Sequence, residues 1–210
     1  MPPGAKAALE ASAGRVTWLA GPAQVAPGVW ATGPVPRLYD QEAASGPFFL
    51  DGAGQERDPL DDDQSLWLET AKGVVVIMGC AHAGVANSLE CVTQGAGART
   101  VHAVLGGLHL KAADEGRLEF TAAALERWGV EIVAMCHCTG ENAEAFLSRR
   151  LPGKAQARPA GTEWNFPLDA AGGLWHNKNN SYCGSRSHTP EGKAQPREDE
   201  RWAAKPDASR

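Results

Sequence analysis

Three short runs of branched aliphatic residues each end in a turn that carries a histidine. Val74–Met78 leads into Gly79-Cys80-Ala81-His82, Val101–Leu105 into Gly106-Gly107-Leu108-His109, and Val130–Ala134 into Cys136-His137-Cys138-Thr139-Gly140. The histidines stand 27 and 28 residues apart, the length of one strand plus one crossover helix. Such crossovers make strands parallel, so all three turns should leave one edge of a sheet, the edge where open α/β sheets hold their ligands. With neighbouring strands ~4.8 Å apart, the outer two turns lie about 10 Å from each other. Imidazoles from both sides then reach a one- or two-metal centre through Zn–N bonds of ~2 Å. The glycines let the backbone turn where a larger side chain would fill the site.

The text around these turns fits alternating strands and helices from Ser65 to Phe166. Leu66–Thr70, a turn at Lys72-Gly73, and Val74–Met78 read as a hairpin whose second strand is buried on both faces. A helix is expected from Val85 to Thr93, ending at Gly95, and another where Leu118, Ala122 and Leu125 share one face before a stop at Gly129. A third runs from Glu141 to Arg150, with Thr139 as its cap. Upstream, residues 15–63 are short apolar pieces broken by Gly and Pro, which suit short strands and turns; the run Asp61-Asp62-Asp63 reads as a solvated turn. Residues 1–14 show no periodicity that buries a face and are expected to form a disordered leader. The segment 167–210, poor in branched aliphatics, is expected to be a disordered tail. The alternative for Trp175 and Trp202 within it is to anchor a partner.

Charge and composition narrow the function classes. Twenty-five acidic residues against 20 Lys and Arg leave no electrostatic footprint for nucleic acid or anionic lipid. The longest apolar run is far short of the ~20 residues of a membrane span, and the N-terminus lacks the basic-then-apolar order of a signal peptide. A cytoplasmic location is expected. Five cysteines, Cys80, Cys91, Cys136, Cys138 and Cys183, form no C-x-x-C pair, which argues for reduced thiols over disulfides and against a structural zinc ribbon. Taken singly, each histidine reads as a hydrogen-bonded core or capping residue and each cysteine as a small buried hydrophobe. Recurrence at one sheet edge is what raises a metal or anion site. Were the strand to continue through Cys136-His137-Cys138, both thiols would face away from the histidine, so these three residues are not counted as ligands of one ion.

The ordered set of Pro27–Gly33, Asp62–Leu66, Gly79–Asn87, Leu105–Leu110 and His137–Gly140 resembles one branch of the metallo-β-lactamase-fold hydrolases, the branch that includes ribofuranosylaminobenzene-phosphate (dihydropterin) synthase-like proteins. The resemblance covers about Arg15 to Phe166 and implies an α/β fold, here the C-terminal half of an αββα sandwich, with metals at one edge of the sheets. Members carry an H-x-H-x-D-H motif in their N-terminal half; this chain has no histidine before His82. Within the resemblance, His137 matches the last metal-ligand histidine. Cys80 or His82 takes the place of a bridging aspartate, or His82 orients a ligand without binding the ion. The metal set is accordingly His82, His137 and Cys80, with His109, Asn87 and Thr139 set to orient substrate or ligands. The cofactor implied is a divalent metal, zinc first and iron or manganese as substitutes. The function implied is metal-assisted hydrolysis or a related reaction of a small, phosphorylated substrate, weak or absent in the isolated chain unless a complementing half is supplied. A sheet face left uncovered would favour a complementing chain or self-association. The rival reading is a metal-free module that binds a phosphate-bearing ligand through backbone N–H groups at the glycine-rich turns.

Overall fold

A computed structural model of the chain describes residues 3–42, 46–97 and 100–168. The elements run in the order α1 (Pro3–Ala11), β1 (Ala23–Ala26), β2 (Val29–Ala31), β3 (Ser65–Thr70), β4 (Gly73–Met78), α2 (Val85–Ala96), β5 (Val101–Gly107), α3 (Glu115–Arg127), β6 (Ile132–Cys136), α4 (Glu141–Arg150) and β7 (Ala155–Ala157). All seven strands form one sheet in sequence order. β1 to β4 are an antiparallel meander, and β4 to β7 are parallel. The switch at β4 is the point where hairpin turns give way to helical crossovers.

Strand alternation sets what each face does. Trp67, Val74, Val76, Met78, Val104, Val133 and Met135 point into one apolar cluster with Leu89 of α2, Leu118 and Leu125 of α3 and Leu147 of α4. The three crossover helices therefore cover one face, as successive right-handed crossovers in one direction require. Leu66 and Ile77, paired across β3 and β4, face away from that cluster and are 38% and 37% exposed. The described residues thus form one sheet and one helical layer, the α/β half-sandwich expected from the sequence. Among them no helix is long and apolar enough to cross a membrane.

Two element ends differ from expectation. α2 does not stop at Gly95. It runs on to Ala96 and closes on Gly97 in the left-handed region, while Gly95 gives clearance to Trp67, whose Cη2 would lie 3.1 Å from a Cβ there. β6 begins at Ile132 and not Val130, because Val130 N–H donates to Leu125 O and Gly129 N–H to Glu126 O, the paired bonds that finish α3. Within the expected leader, Pro3–Ala11 is helical though almost wholly exposed; its Ala, Leu, Lys and Glu favour helix, and Lys6 pairs with Glu10 at 4.0 Å. Of the expected tail, Leu168 bridges Thr70, and residues 169–210, with Trp175, Trp202 and Cys183, lie outside the described residues.

Candidate metal centre

The three turns do leave one rim, at the C-terminal ends of β4, β5 and β6. What lets them meet is the pair Gly106-Gly107 on the middle strand. A Cβ on Gly106 would stand 1.9 Å from Met78 O, and one on Gly107 would meet Cys138 Sγ at 2.8 Å, Gly79 O at 2.8 Å and His137 Cδ2 at 3.2 Å. The flanking strands are two spacings apart, yet their turns close over β5 because β5 has no side chain there.

In that hollow Cys80 Sγ lies 2.9 Å from Cys138 Sγ and 3.4 Å from His109 Nδ1. One donor atom from each of these three residues lies within 4.8 Å of the others, and all three residues are partly buried. The second and third turns are clasped by their backbones. His109 N–H donates to Cys138 Sγ at 3.2 Å, Lys111 N–H to Cys138 O at 3.2 Å, and Leu108 N–H to Thr139 Oγ1 at 3.2 Å. The backbone stores strain here as well: Ala81, His109 and His137 hold φ of 53°, 50° and 55°, a region that side chains with a Cβ seldom occupy.

His82 borders the cluster. Its ring meets that of His109 edge-on at 4.6 Å, and Phe48 packs over both, at 5.4 Å and 6.2 Å. Burial, and then the neighbouring His109, push the His82 pKa below its ordinary value, which favours the neutral imidazole. Asp63 Oδ1 sits 3.9 Å from His82 Nδ1 while Asp63 Oδ2 accepts from Ala83 N–H at 2.8 Å. Asp63, read from sequence as part of a solvated turn, is 8% exposed and fixes the first turn. His137 is exposed, and its ring Cδ2 would stand 3.2 Å from a Cβ on Gly107.

Two residues assigned from sequence to substrate or ligand orientation have their polar groups engaged with backbone. Asn87 is fully buried; its Oδ1 accepts from Leu38 and Tyr39 N–H at 2.6 and 3.2 Å, and its Nδ2 donates to Ala83 O at 2.8 Å. Thr139 does not cap α4. Gly140 holds that position, and the Thr139 hydroxyl donates to Cys136 O at 2.9 Å while accepting from Leu108. α2, whose N-cap residue Gly84 has no side chain, is capped from a distance: the buried carboxylate of Glu42 accepts from Ala86 and Asn87 N–H at 2.9 and 2.7 Å, with Arg117 at 3.7 Å. A Cβ on Gly84 would fall 2.2 Å from Glu42 Oε2, so the glycine makes room for the cap.

The donor set suits a divalent ion. Burial and the adjacent Cys138 push the Cys80 thiol up to about 12. A bound cation inverts that preference and takes coordinating thiols as thiolates. Two thiolates on one tetrahedral zinc, with Zn–S bonds of ~2.3 Å, stand about 3.8 Å apart, so the pair must open by less than ~1 Å. Two sulfurs and one imidazole make three protein ligands, a number that leaves a zinc ion one open position. Burial and Cys138 also raise the pKa of Cys136, which lies outside the cluster.

No family model matches the chain. It is 29% identical over 140 residues to 7,8-dihydropterin-6-methyl-4-(beta-D-ribofuranosyl)-aminobenzene-5'-phosphate synthase of Methanocaldococcus jannaschii, a match over 65% of this chain and 48% of that protein. An uncharacterized protein of the same organism is 33% identical over 118 residues, 56% of this chain and 43% of the relative. The crystal structure of Tm1679, a metal-dependent hydrolase of the beta-lactamase superfamily, superposes with a TM-score of 0.63 at 31% identity, covering 70% of this chain and 57% of that one. The chain spans about half the length of the curated relatives it matches. Fold and sequence likeness therefore agree with the resemblance carried by the turn motifs.

Proposed function

For a chain with the metallo-β-lactamase-superfamily fold, we propose a metal-dependent, hydrolase-type function centred on Cys80, His109 and Cys138. The observation that carries this reading is the convergence of these three donors within 4.8 Å at the rim where the parallel strands end. Two sulfurs favour zinc over harder ions such as manganese. When bound, such an ion polarises an ester or phosphoryl oxygen and brings the pKa of water toward ~7. The chain's own residues would do the rest. His82, neutral and held near Asp63, is placed to accept a proton, and Phe48 shields it and His109 from solvent. His82 and His137, assigned as ligands from sequence, border the cluster and are the next donors in line.

The substrate class proposed is a small phosphorylated molecule, by analogy with the synthase relative. The sequence contains no H-x-H-x-D-H motif, so the isolated chain is expected to bind metal and turn over slowly. The apolar surface around Leu66 and Ile77 is the place for a complementing chain or a second copy. A cytoplasmic setting, which keeps thiols reduced, belongs to the same reading.

Metal analysis of protein purified under reducing conditions and reconstituted separately with zinc, iron and manganese tests it. The expected result is near-stoichiometric zinc, lost in Cys138→Ser and His109→Ala. Absence of bound metal under all three conditions would overturn the proposal in favour of the metal-free phosphate-binding module. A loss in His137→Ala as complete as in Cys138→Ser would move the centre toward the ligand set assigned from sequence.

A further inference from the structure

The contact between Cys80 and Cys138 has a chemistry of its own. The two residues lie on different turns, 58 positions apart in sequence, and their sulfurs stand 2.9 Å from each other. A disulfide needs S–S of ~2.05 Å, so closure requires movement of roughly 0.9 Å. Both residues are partly exposed, which gives a small oxidant access, whereas Cys91 is wholly buried. The approach is built into the sheet, because Gly107 on the intervening strand would otherwise thrust a Cβ to within 2.8 Å of Cys138 Sγ.

We propose that Cys80 and Cys138 are a reversible modification site that forms a disulfide on exposure to a peroxide. One thiol gives up its proton, its sulfur attacks a peroxide oxygen as the thiolate, the O–O bond breaks, and the departing hydroxide takes up that proton, so that a sulfenic acid and one water form. The second sulfur then displaces the sulfenic oxygen, which leaves as a second water. Two S–H bonds and one O–O bond are lost, one S–S bond and two O–H bonds are gained, and hydrogen peroxide is reduced to two waters by the two electrons the thiols give up. A small dithiol reverses the step by exchange. The disulfide rests only on the thiol pair. Its consequence, loss of two of the three metal donors and release of the ion, rests on the function proposed above.

The test uses the full chain, reduced and chelator-stripped or zinc-loaded, titrated with hydrogen peroxide and followed by peptide mapping with fragmentation. Zinc release to a chromophoric chelator is read in parallel. The expected result is a Cys80–Cys138 cross-link two hydrogens lighter than the reduced peptides, reversed by dithiothreitol and absent in Cys80→Ser. Zinc should appear in step with it. Gly107→Ala, with its fold checked by far-UV circular dichroism, should slow cross-linking by about tenfold or more, since the added Cβ forces the sulfurs off bonding geometry. No cross-link at any peroxide dose, or one made through Cys91, Cys136 or Cys183 instead, would overturn the inference and leave the metal reading standing. A chain that cross-links as expected but never takes up metal would overturn the metal reading and keep the disulfide.

Discussion

At the starting ends of β4 to β7, every left-handed backbone position among the described residues falls on a glycine: Gly73, Gly97, Gly129 and Gly153, with φ of 123°, 59°, 69° and 77°. At the finishing ends of β4, β5 and β6 the glycines are joined by Ala81, His109 and His137 at φ near 50°. A side chain in that conformation costs roughly 1–2 kcal/mol. The first rim uses the residue that turns without strain. The second accepts strain in the same turns that bring Cys80, His109 and Cys138 together. One end of the sheet is arranged for stability and the other for placing side chains.

Substitution at either rim tests this division. The largest effect is expected for Gly106→Ala, whose new Cβ would lie 1.9 Å from a backbone oxygen that cannot move aside; a loss of about 3 kcal/mol or more follows. Gly97→Ala at the opposite rim meets nothing within 4 Å and carries only the conformational strain, about 1–2 kcal/mol. Urea unfolding of both variants checks this, and equal losses would erase the distinction. Next, Asp63→Asn removes the carboxylate charge beside His82 and is expected to lower turnover of the zinc-loaded chain by roughly tenfold or more while zinc content holds, since His82 borders the three proposed donors without being one of them. Unchanged turnover would reduce Asp63 to a loop anchor.

Ala81→Gly relieves strain at the working rim and is expected to raise stability by up to about 1 kcal/mol, the left-handed penalty less the added freedom of the unfolded glycine. A loss on thermal melting would show that the Ala81 methyl, which is 2% exposed, matters more by packing. The smallest effect concerns pH. His82 has a folded-state pKa below its ordinary 6.5, so the unfolded chain binds a proton that the folded chain does not. Its contribution to stability is therefore present above 6.5 and declines as the pH falls below it. Unfolding midpoints of the wild type should drop between pH 7.5 and 5.5 more than those of His82→Gln; parallel drops would rule out this origin.

Much of this was readable in the sequence for reasons of period and length. Aliphatic runs such as Val74–Met78 announce buried strands, and the spacing between the histidine turns leaves room for one helix each, so the common rim followed. The atomic partnership at the rim did not. The alternation argument that turned Cys136 and Cys138 away from His137 assumes a continuing strand, and β6 ends at Cys136 with His137 in the left-handed region. Past that point period two no longer predicts direction, and Cys138 reaches Cys80 while His137 is exposed. Asp63 and Glu42 were opaque for another reason. Each serves a turn or helix start far along the chain, and no local pattern marks a carboxylate that caps at a distance.

Because each strand pairs with its neighbours in sequence, the sheet can be laid down vectorially as synthesis proceeds, with every new strand docking on an edge that already exists. Local pairing of this kind limits the loop-closure entropy each addition must overcome. The rim is finished late on that route: Cys80 and His109 emerge early but gain their third companion only once β6 has docked, so the thiols meet after most of the sheet is in place.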